Sequence, residues 1–321
     1  MTEPLVSIII VNWNGIKYIN DCIKSLLDQT FTDFGIILVD NASSDGSVEF
    51  VEKKFPNVRI IKNTANLGFA EGNNIGIKNS HGSLIALFNQ DAIADREWLV
   101  NLIKVIQSSD KIGAVSGKIF YLGEQFGKGA VFCTWPKIDP LTAAPYNFHD
   151  NEAASKVDYL SGAAMLVKRT VIEKIGLLDS KYFLYFEETD WCARMIRAGY
   201  DLIYVPDAIA WHLVSASITE SDTKIYYMER NRIRFALKNF DSSYLPIFLL
   251  IYLTETTFVF FSDIKKRNYS RSKNRLMAIL WNLANLKHTI RCRRKHMSIL
   301  REIGIIKSYN KSLPLRNVKK T

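Results

Sequence analysis

Val6-Ser-Ile-Ile-Ile-Val-Asn-Trp-Asn-Gly15 is a β-branched apolar run that stops at Asn14-Gly15, so residues 6–12 read as a buried strand closed by a turn. From it the chain alternates. Ile19, Cys22, Ile23, Leu26 and Leu27 have helix-face spacing within Tyr18–Asp28, and Gly35–Val39 is a second apolar run ending at Asp40-Asn41. Ser43-Ser-Asp-Gly-Ser47 is a turn and N-cap cluster that opens a helix near Val48. Val58–Lys62 predicts a third strand, 69–80 a helix, and Ser83–Phe88 a fourth strand stopping at Asn89-Gln90-Asp91.

Strand–helix alternation of this kind predicts an α/β fold, a mostly parallel twisted sheet with helices on both faces. Ligands of such sheets bind beyond the carboxyl ends of the strands. Here those ends carry Asn12, Asp40 and Asp91.

Residues 123–151, rich in Gly, Pro and aromatics, read as loop and irregular strand. An apolar run at Tyr159–Lys168 and a helix from Thr170 follow. Tyr182–Phe186 reads as an aromatic strand or turn, Glu187 opens a helix ending at Gly199, and Leu202–Val205 is a last strand. This first domain spans 1–240, and 241–321 is a helical, basic C-terminal extension. Within the extension, Tyr244–Phe261 is apolar but carries Glu255 and falls short of the about 20 residues needed to cross a membrane. It is expected to lie on the membrane or pack on the domain.

Charge divides the chain further on, at Lys265. Residues 265–321 carry +16 and 1–264 carry −6, for a total of +10. Leu276, Ile279, Leu280, Leu283 and Leu286 recur near helical spacing among the basic residues, a pattern that suits an anionic membrane surface, against the bland reading of a solvated tail. With no nucleic-acid motif and an acidic main domain, a nucleic-acid partner is not expected. Cys22, Cys133, Cys192 and Cys292 are scattered without a CxxC pair, which fits a reducing cytoplasm, and the N-terminus shows no secretory signal pattern. The absence of GxGxxG after the first strand excludes a dinucleotide-binding dehydrogenase.

Three acidic sites stand out: Asp40, Asp91 and Glu187–Asp190. A sugar-nucleotide reaction needs carboxylates to hold a divalent cation and another carboxylate to act as a base. Five ordered segments, Val6–Gly15, Val39–Ser47, Asn66–Asn74, Leu87–Asp91 and Tyr185–Arg194, together resemble the motifs of glycosyltransferase family 2, and within it the rhamnosyltransferase-like enzymes of polysaccharide assembly. The resemblance covers about residues 4–240. It implies a GT-A fold, inversion at the sugar carbon, and Mg²⁺ or Mn²⁺ as cofactor.

Carried over residue by residue, the resemblance implies that Asp40 contacts the donor base and that Val11, Asn12 and Asn14 line the same pocket. Asn41, Asn66, Gly68, Asn73 and Asn89 complete the donor set, although Asn66 and Gly68 also have a reading as turn chemistry. Asp91 falls on the last acid of the family's Asp-x-Asp element and would ligate the metal, with His212 as a further ligand or a buried structural histidine. The first acid of that element is Asn89 here. Glu188 occupies the general-base position, one methylene longer than the usual Asp, with Asp190 as the second choice. Arg230 and Arg232 could meet phosphate. Trp13 and Trp191 read as packing residues beside the pocket, with Trp191 able to stack on a sugar.

The resulting expectation is a glycosyltransferase, cytoplasmic and peripheral to the inner face of the cell membrane. It would move a sugar, rhamnose among the candidates, from a nucleoside-diphosphate sugar to a lipid-linked or polysaccharide acceptor. The alternatives are a non-catalytic nucleotide-sugar binding or scaffold protein and a nucleotidyltransferase. The nucleotidyltransferase would need a basic Gly-rich loop that Val11–Lys17 lacks.

Overall fold

The computed structural model describes residues 3–123, 129–148, 153–213 and 222–302. β1 (Val6–Asn12), α1 (Ile19–Leu27), β2 (Phe34–Asp40), α2 (Ser47–Lys54), β3 (Arg59–Lys62), α3 (Gly68–Lys78) and β4 (Leu84–Asn89) alternate as the periodicity predicts. Three elements that the sequence reading does not identify follow: β5 (Ala92–Ala94), α4 (Trp98–Ile106) and β6 (Ile112–Tyr121). The irregular middle holds β7 (Val131–Cys133), the hairpin of β8 (Trp135–Ile138) and β9 (Pro145–Phe148), and β10 (Ser155–Lys156). β11 (Ala164–Lys168), α5 (Arg169–Ile175), α6 (Glu187–Arg197) and β12 (Asp201–His212) complete the sheet region. β12 runs on to His212, well past the Leu202–Val205 segment legible as a strand, with a register shift against β6 between Val205 and Ile209.

The strand order is β10-β12-β6-β11-β4-β1-β2-β3. β3, β2, β1 and β4 are mutually parallel, β11 runs against them, and β6 and β12 resume the first direction. The chain winds from β1 to β2 to β3 and then crosses back to place β4 on the other side of β1. That reversal opens a crevice at the carboxyl ends of β1 and β4.

Alternate side chains of β1 feed two cores. Ile8 and Ile10 pack with Ile19, Cys22 and Leu99 of α1 and α4, while Ile9 packs on the other face with Ala70 and Ile77 of α3. Helices therefore cover both faces, and each face of a buried strand is satisfied by its own layer. α3 approaches β1 closely because Gly72 and Gly76 face it. A Cβ at Gly72 would stand 2.7 Å from Val11 Cγ1, and one at Gly76 would stand 2.4 Å from Ile9 Cγ2.

Beyond the sheet, α7 (Asp222–Asn239), α8 (Leu245–Lys265), α9 (Tyr269–Ala284) and α10 (Leu286–Glu302) form the helical extension. A third core joins Phe235 and Phe240 of the α7 region to Phe248 and Tyr252 of α8. The apolar run read as too short to cross a membrane becomes a 21-residue helix, long and apolar enough to do so by length and composition. The helix gains that length because Ser262–Lys265 continue it. The remainder of the basic tail, 303–321, lies outside the described residues.

The close α3–β1 contact leaves no room for a side chain at Gly76. Gly76→Val combines overpacking against Ile9 with a β-branched helix residue, and should lower stability by about 1–3 kcal/mol in urea unfolding.

Candidate active site

The crevice is a cleft of about 440 Å³. Val11 and Trp13 at the end of β1, Asn41 after β2, and Asn89, Gln90 and Asp91 at the end of β4 form one side, with Phe183, Leu184 and Tyr227 opposite. The strand ends thus bring together most of the residues expected from sequence.

Asn12 and Asp40 lie just beneath this surface rather than on it. Asn12 is fully buried, and its amide donates to Asp40 Oδ1 (2.8 Å), Ser43 Oγ (3.0 Å) and Ser47 Oγ (2.9 Å). Asp40 also accepts from the Ser43 amide at 3.0 Å. Asn14, at φ 50°, accepts from the Ser44 amide at the exposed rim. Asp45 accepts from the Ser47 and Ile16 amides, and Gly46 at φ 81° starts α2, so the Asp45-Gly46 pair is turn chemistry. Asn41 donates to Gly68 O (3.1 Å) and accepts from Asn63 (2.9 Å) while lining the cleft. Asn66 caps the Gly68 amide at 2.9 Å, and Gly68 sits at φ 79° with Phe183 O in the space a Cβ would need. Turn geometry and cleft lining therefore coincide at Asn66 and Gly68. Asn73 does not reach the cleft: it is buried in α3, and its amide donates one turn back to Phe69 O.

The antiparallel pairing of β5 with β12 sets His212 opposite Ala92, next to Asp91. His212 Nε2 stands 3.1 Å from Asp91 Oδ1 and 3.0 Å from the Asn89 amide nitrogen, and both acid and imidazole are nearly buried. One Nε2 proton can serve the carboxylate only if Asn89 presents its oxygen instead, an amide orientation fixed by hydrogen-bond logic. Asn89 Oδ1 is buried with no partner, as is His212 Nδ1. No group of three His, Cys, Asp or Glu converges among the described residues. Asp91, His212 and an Asn89 oxygen would nonetheless give a mixed oxygen and nitrogen donor set suited to Mn²⁺ or Mg²⁺.

The opposite wall is built from an unusual turn. Phe183, Tyr185 and Phe186 all adopt positive φ, at 64°, 67° and 72°. Each such residue costs about 1–3 kcal/mol, so the turn persists only where its surroundings fix it. Asn231 of α7 does so by donating to Tyr182 O (3.0 Å), Leu184 O (2.8 Å) and Tyr185 O (2.7 Å), and Arg230 donates to Lys181 O and Tyr182 O. Arg232 is engaged by Thr142 O and Glu255. These guanidinium groups, expected to meet phosphate, instead bind the protein's own carbonyls and carboxylate.

The turn delivers Glu187 and Glu188 to the first turn of α6. Glu188 Oε2 is buried without a partner, and a Cβ built on Gly162 would meet both Glu188 Cβ (3.4 Å) and the ring of the cleft-lining Phe69 (3.3 Å), so Glu188 sits behind Phe69 and is not itself among the lining residues. Burial raises the Glu188 carboxyl to about 7, although its own amide and that of Thr189 pull it down. Burial and the neighbouring Glu188 charge push Glu187 up as well.

Asp190, the second-choice base, faces away from the cleft. It is fully buried and accepts from Arg194 (3.0 Å), Lys238 (2.9 Å), Asn239 (2.8 Å) and Tyr182 (3.3 Å). Burial opposes its charge, but Lys238 and Arg194 outweigh that and hold its carboxyl below the usual range. Such a carboxylate is a poor proton acceptor and a good structural pin. Trp191 is likewise fully buried, donates to Gly176 O, and has no face toward a sugar. Gln90, Phe183, Tyr227 and Asn231 are the site residues that sequence reasoning missed. Gln90 clamps Trp13 through its backbone N–H (2.8 Å) and C=O (3.2 Å), and only its place between Asn89 and Asp91 hinted at this.

The sequence profile of glycosyl transferase family 2 matches residues 7–176. The chain is 26% identical over 238 residues to the N-acetylglucosaminyl-diphospho-decaprenol L-rhamnosyltransferase of Mycobacterium tuberculosis, covering 66% of this chain and 76% of that one. It is 27% identical over 237 residues to an uncharacterized protein of Sinorhizobium fredii, covering 68% of this chain but only 26% of that relative, so it spans about a quarter of its length. The mannosyltransferase of Pyrobaculum calidifontis, solved with GDP-Man and Mn²⁺, superposes with a TM-score of 0.55 at 16% identity, over 97% of this chain and 87% of that one. The architecture is thus the GT-A fold.

Because Asn231 satisfies three carbonyls of the turn, Asn231→Ala should leave them unpaired. We expect a stability loss of about 1–3 kcal/mol in chemical denaturation, with local amide exchange rising first at residues 182–186.

Proposed function

The chain belongs to glycosyl transferase family 2, and we propose that it transfers a hexose from a nucleoside-diphosphate sugar to a lipid-linked or polysaccharide acceptor in surface glycan assembly. The observation that carries this reading is the cleft at the strand ends, lined by Asp91 with His212 Nε2 set 3.1 Å behind its carboxylate. The M. tuberculosis relative, named for a rhamnosyl transfer to a diphospho-decaprenol, supports rhamnose and a lipid-linked acceptor as the specific case. The resident division is 1–240 for donor and chemistry and 241–321 for an anionic membrane surface at the cytoplasmic face.

In this reading Val11, Asn14, Asn41, Asn66 and Gly68 hold the nucleoside, with Asn12 and Asp40 stiffening the pocket from below. Asp91 and His212, with Asn89 turned oxygen-inward, would hold a divalent cation, and that ion supplies the positive charge that stabilises the leaving diphosphate. The one carboxylate at this element is reinforced by an imidazole, a combination that favours Mn²⁺ over Mg²⁺. Glu188 takes the proton from the acceptor hydroxyl as that oxygen attacks the sugar carbon from the face opposite the diphosphate. A carboxyl that burial raises to about 7 suits that work, because it is basic enough to accept a proton.

Release of nucleotide from a panel of UDP-, GDP- and dTDP-sugars, with Mn²⁺, Mg²⁺ or EDTA and a membrane-lipid extract, tests the proposal. We expect turnover of one donor, lost in EDTA, and reduced on the order of 10²–10⁴-fold in Glu188→Gln and in Asp91→Ala. Donor binding with no turnover on any acceptor would favour the non-catalytic reading.

The raised Glu188 carboxyl makes a second, independent prediction. The rate should climb as pH passes through about 7, where Glu188 ionises. Stability should move the other way. The folded state holds this proton above the pH at which the unfolded chain releases it, so the contribution is whole below the ordinary carboxyl range and lost as pH rises through about 7. Glu188→Gln should flatten that part of the stability–pH curve, and an unchanged curve would remove Glu188 as the titrating group.

A further inference from the structure

α8 and α9 present apolar faces that nothing in the described chain covers. Leu250, Phe258 and Phe261 of α8 are 69%, 77% and 65% exposed, and Leu283 of α9 is 63% exposed. These residues share one arc of their helices, joined on α8 by Ile247, Leu253 and Ile264 and on α9 by Leu276 and Leu280. Leu253 and Leu276 line the same shallow groove between the two helices, so the two faces open on one side of the molecule.

The charges of α8 point the opposite way. Glu255 pairs with Arg232 of α7 at 2.9 Å, and Asp263 pairs with Arg275 of α9 at 3.3 Å. Ahead of them on the helix, Phe248 and Tyr252 are buried in the core shared with α7, and Phe248 meets Phe240 at 5.8 Å. α8 is thus tied to the protein at residues 248, 252, 255 and 263, along nearly its full length. A spanning helix would have to break every one of these ties and carry both acids into hydrocarbon. A helix lying flat keeps them all.

The turn from α8 to α9 supplies the matching charge. Lys265, Lys266, Arg267, Arg271 and Lys273 are all exposed there, at one end of the apolar surface. The same turn abuts the cleft: Asn274 donates to Asp222 O (2.9 Å), Ser270 donates to the Asp222 carboxylate, and Thr223 is a cleft-lining residue.

We propose that the outward faces of α8 and α9 form a single lipid-facing surface, with α8 lying in the plane of the bilayer interface and the basic turn seated on anionic headgroups beside the cleft mouth. The occupant is bilayer lipid, since an apolar face with cations clustered at one end and its acids turned inward matches hydrocarbon under anionic headgroups. The inference rests on the lipid-acceptor reading only for its purpose. Its test uses neither donor nor acceptor, so failure of docking and failure of transfer are read separately.

The full chain is floated with phosphatidylcholine vesicles, with and without phosphatidylglycerol. Phosphatidylglycerol should tighten binding on the order of tenfold or more, and Phe258→Glu with Phe261→Glu should weaken it at least comparably while leaving the unfolding midpoint unchanged. Depth is then read from fluorophores on Leu250→Cys, Phe258→Cys and Phe261→Cys in a Cys292→Ser background, quenched by lipids labelled near the headgroup or in mid-chain. Equal, shallow depths are expected at all three. Depths that differ by the about 16 Å of helix between residues 250 and 261 would mean a spanning helix and overturn the proposal. So would absence of vesicle binding, or a stable dimer in solution that Phe258→Glu dissociates without changing flotation.

Discussion

The turn at residues 182–186 is the constraint on which the site depends. Three residues there with side chains hold positive φ, a conformation that L residues avoid, at a cost of about 1–3 kcal/mol each. Arg230 and Asn231 offset a cost of that size, because hydrogen bonds from a buried cation contribute about 1.5–3 kcal/mol and neutral ones about 1 kcal/mol. The turn carries Phe183 and Leu184 into the cleft on one side and starts α6, with Glu187 and Glu188, on the other. α7 is therefore less an appendage to the sheet than the clamp that shapes its active edge.

The clamp is itself held from two directions. Asp190 and Asp179 bind Lys238 together, and Arg234 adds to Asp179 at 2.7 Å, so α6, the turn and α7 share one buried ion network. Desolvation would make any one of these charges costly alone, and the alternation of sign makes the set tolerable. From the other side, the Arg230 guanidinium lies between the rings of Tyr227 (4.6 Å) and Trp281 of α9 (4.5 Å), while Tyr227 stacks on Phe183. A pile of rings and one cation thus runs from the cleft wall to the helix that carries the exposed apolar face. Whatever fixes α9 in place also steadies the wall of the cleft.

Much of this was legible beforehand where local chemistry and global fold agree. β1 through β4 follow from β-branched runs closed by Asn, Asp and Gly, and their ends forecast Asp40 and Asp91 correctly as neighbours of one crevice. The reading failed where meaning depends on a distant partner. α4 is the exception: Trp98, Leu99, Leu102, Ile103 and Ile106 recur at helical spacing and are buried, with Val100 and Lys104 outward, so the helix was legible and was passed over. Asp190 looked like a helix-terminal acid of the site, and only Lys238, nearly 50 residues on, reveals it as a pin. Arg230 and Arg232 looked like phosphate ligands because a guanidinium reads alike whether its partner is a phosphate or a carbonyl. His212 could be placed beside Asp91 only by the β5–β12 register, which no periodicity announces.

The charge asymmetry of the chain acquires a physical role in the same way. On the proposed function, a donor with a diphosphate approaches a part of the chain, residues 1–264, of net charge −6 against repulsion, and close contact then depends on a cation held at Asp91 and His212. The guanidinium groups of Arg230 and Arg232 do not supply it, being committed to the turn and to α8. With Asn in place of a first acid at residue 89, the donor set adds less negative charge than two carboxylates would, which lightens the repulsion but also weakens the grip on a cation. The imidazole of His212 restores a ligand without restoring the charge. Under that proposal the site would trade cation affinity for tolerance of an anionic donor, and the basic turn of α8–α9 would add the long-range attraction that residues 1–264 lack.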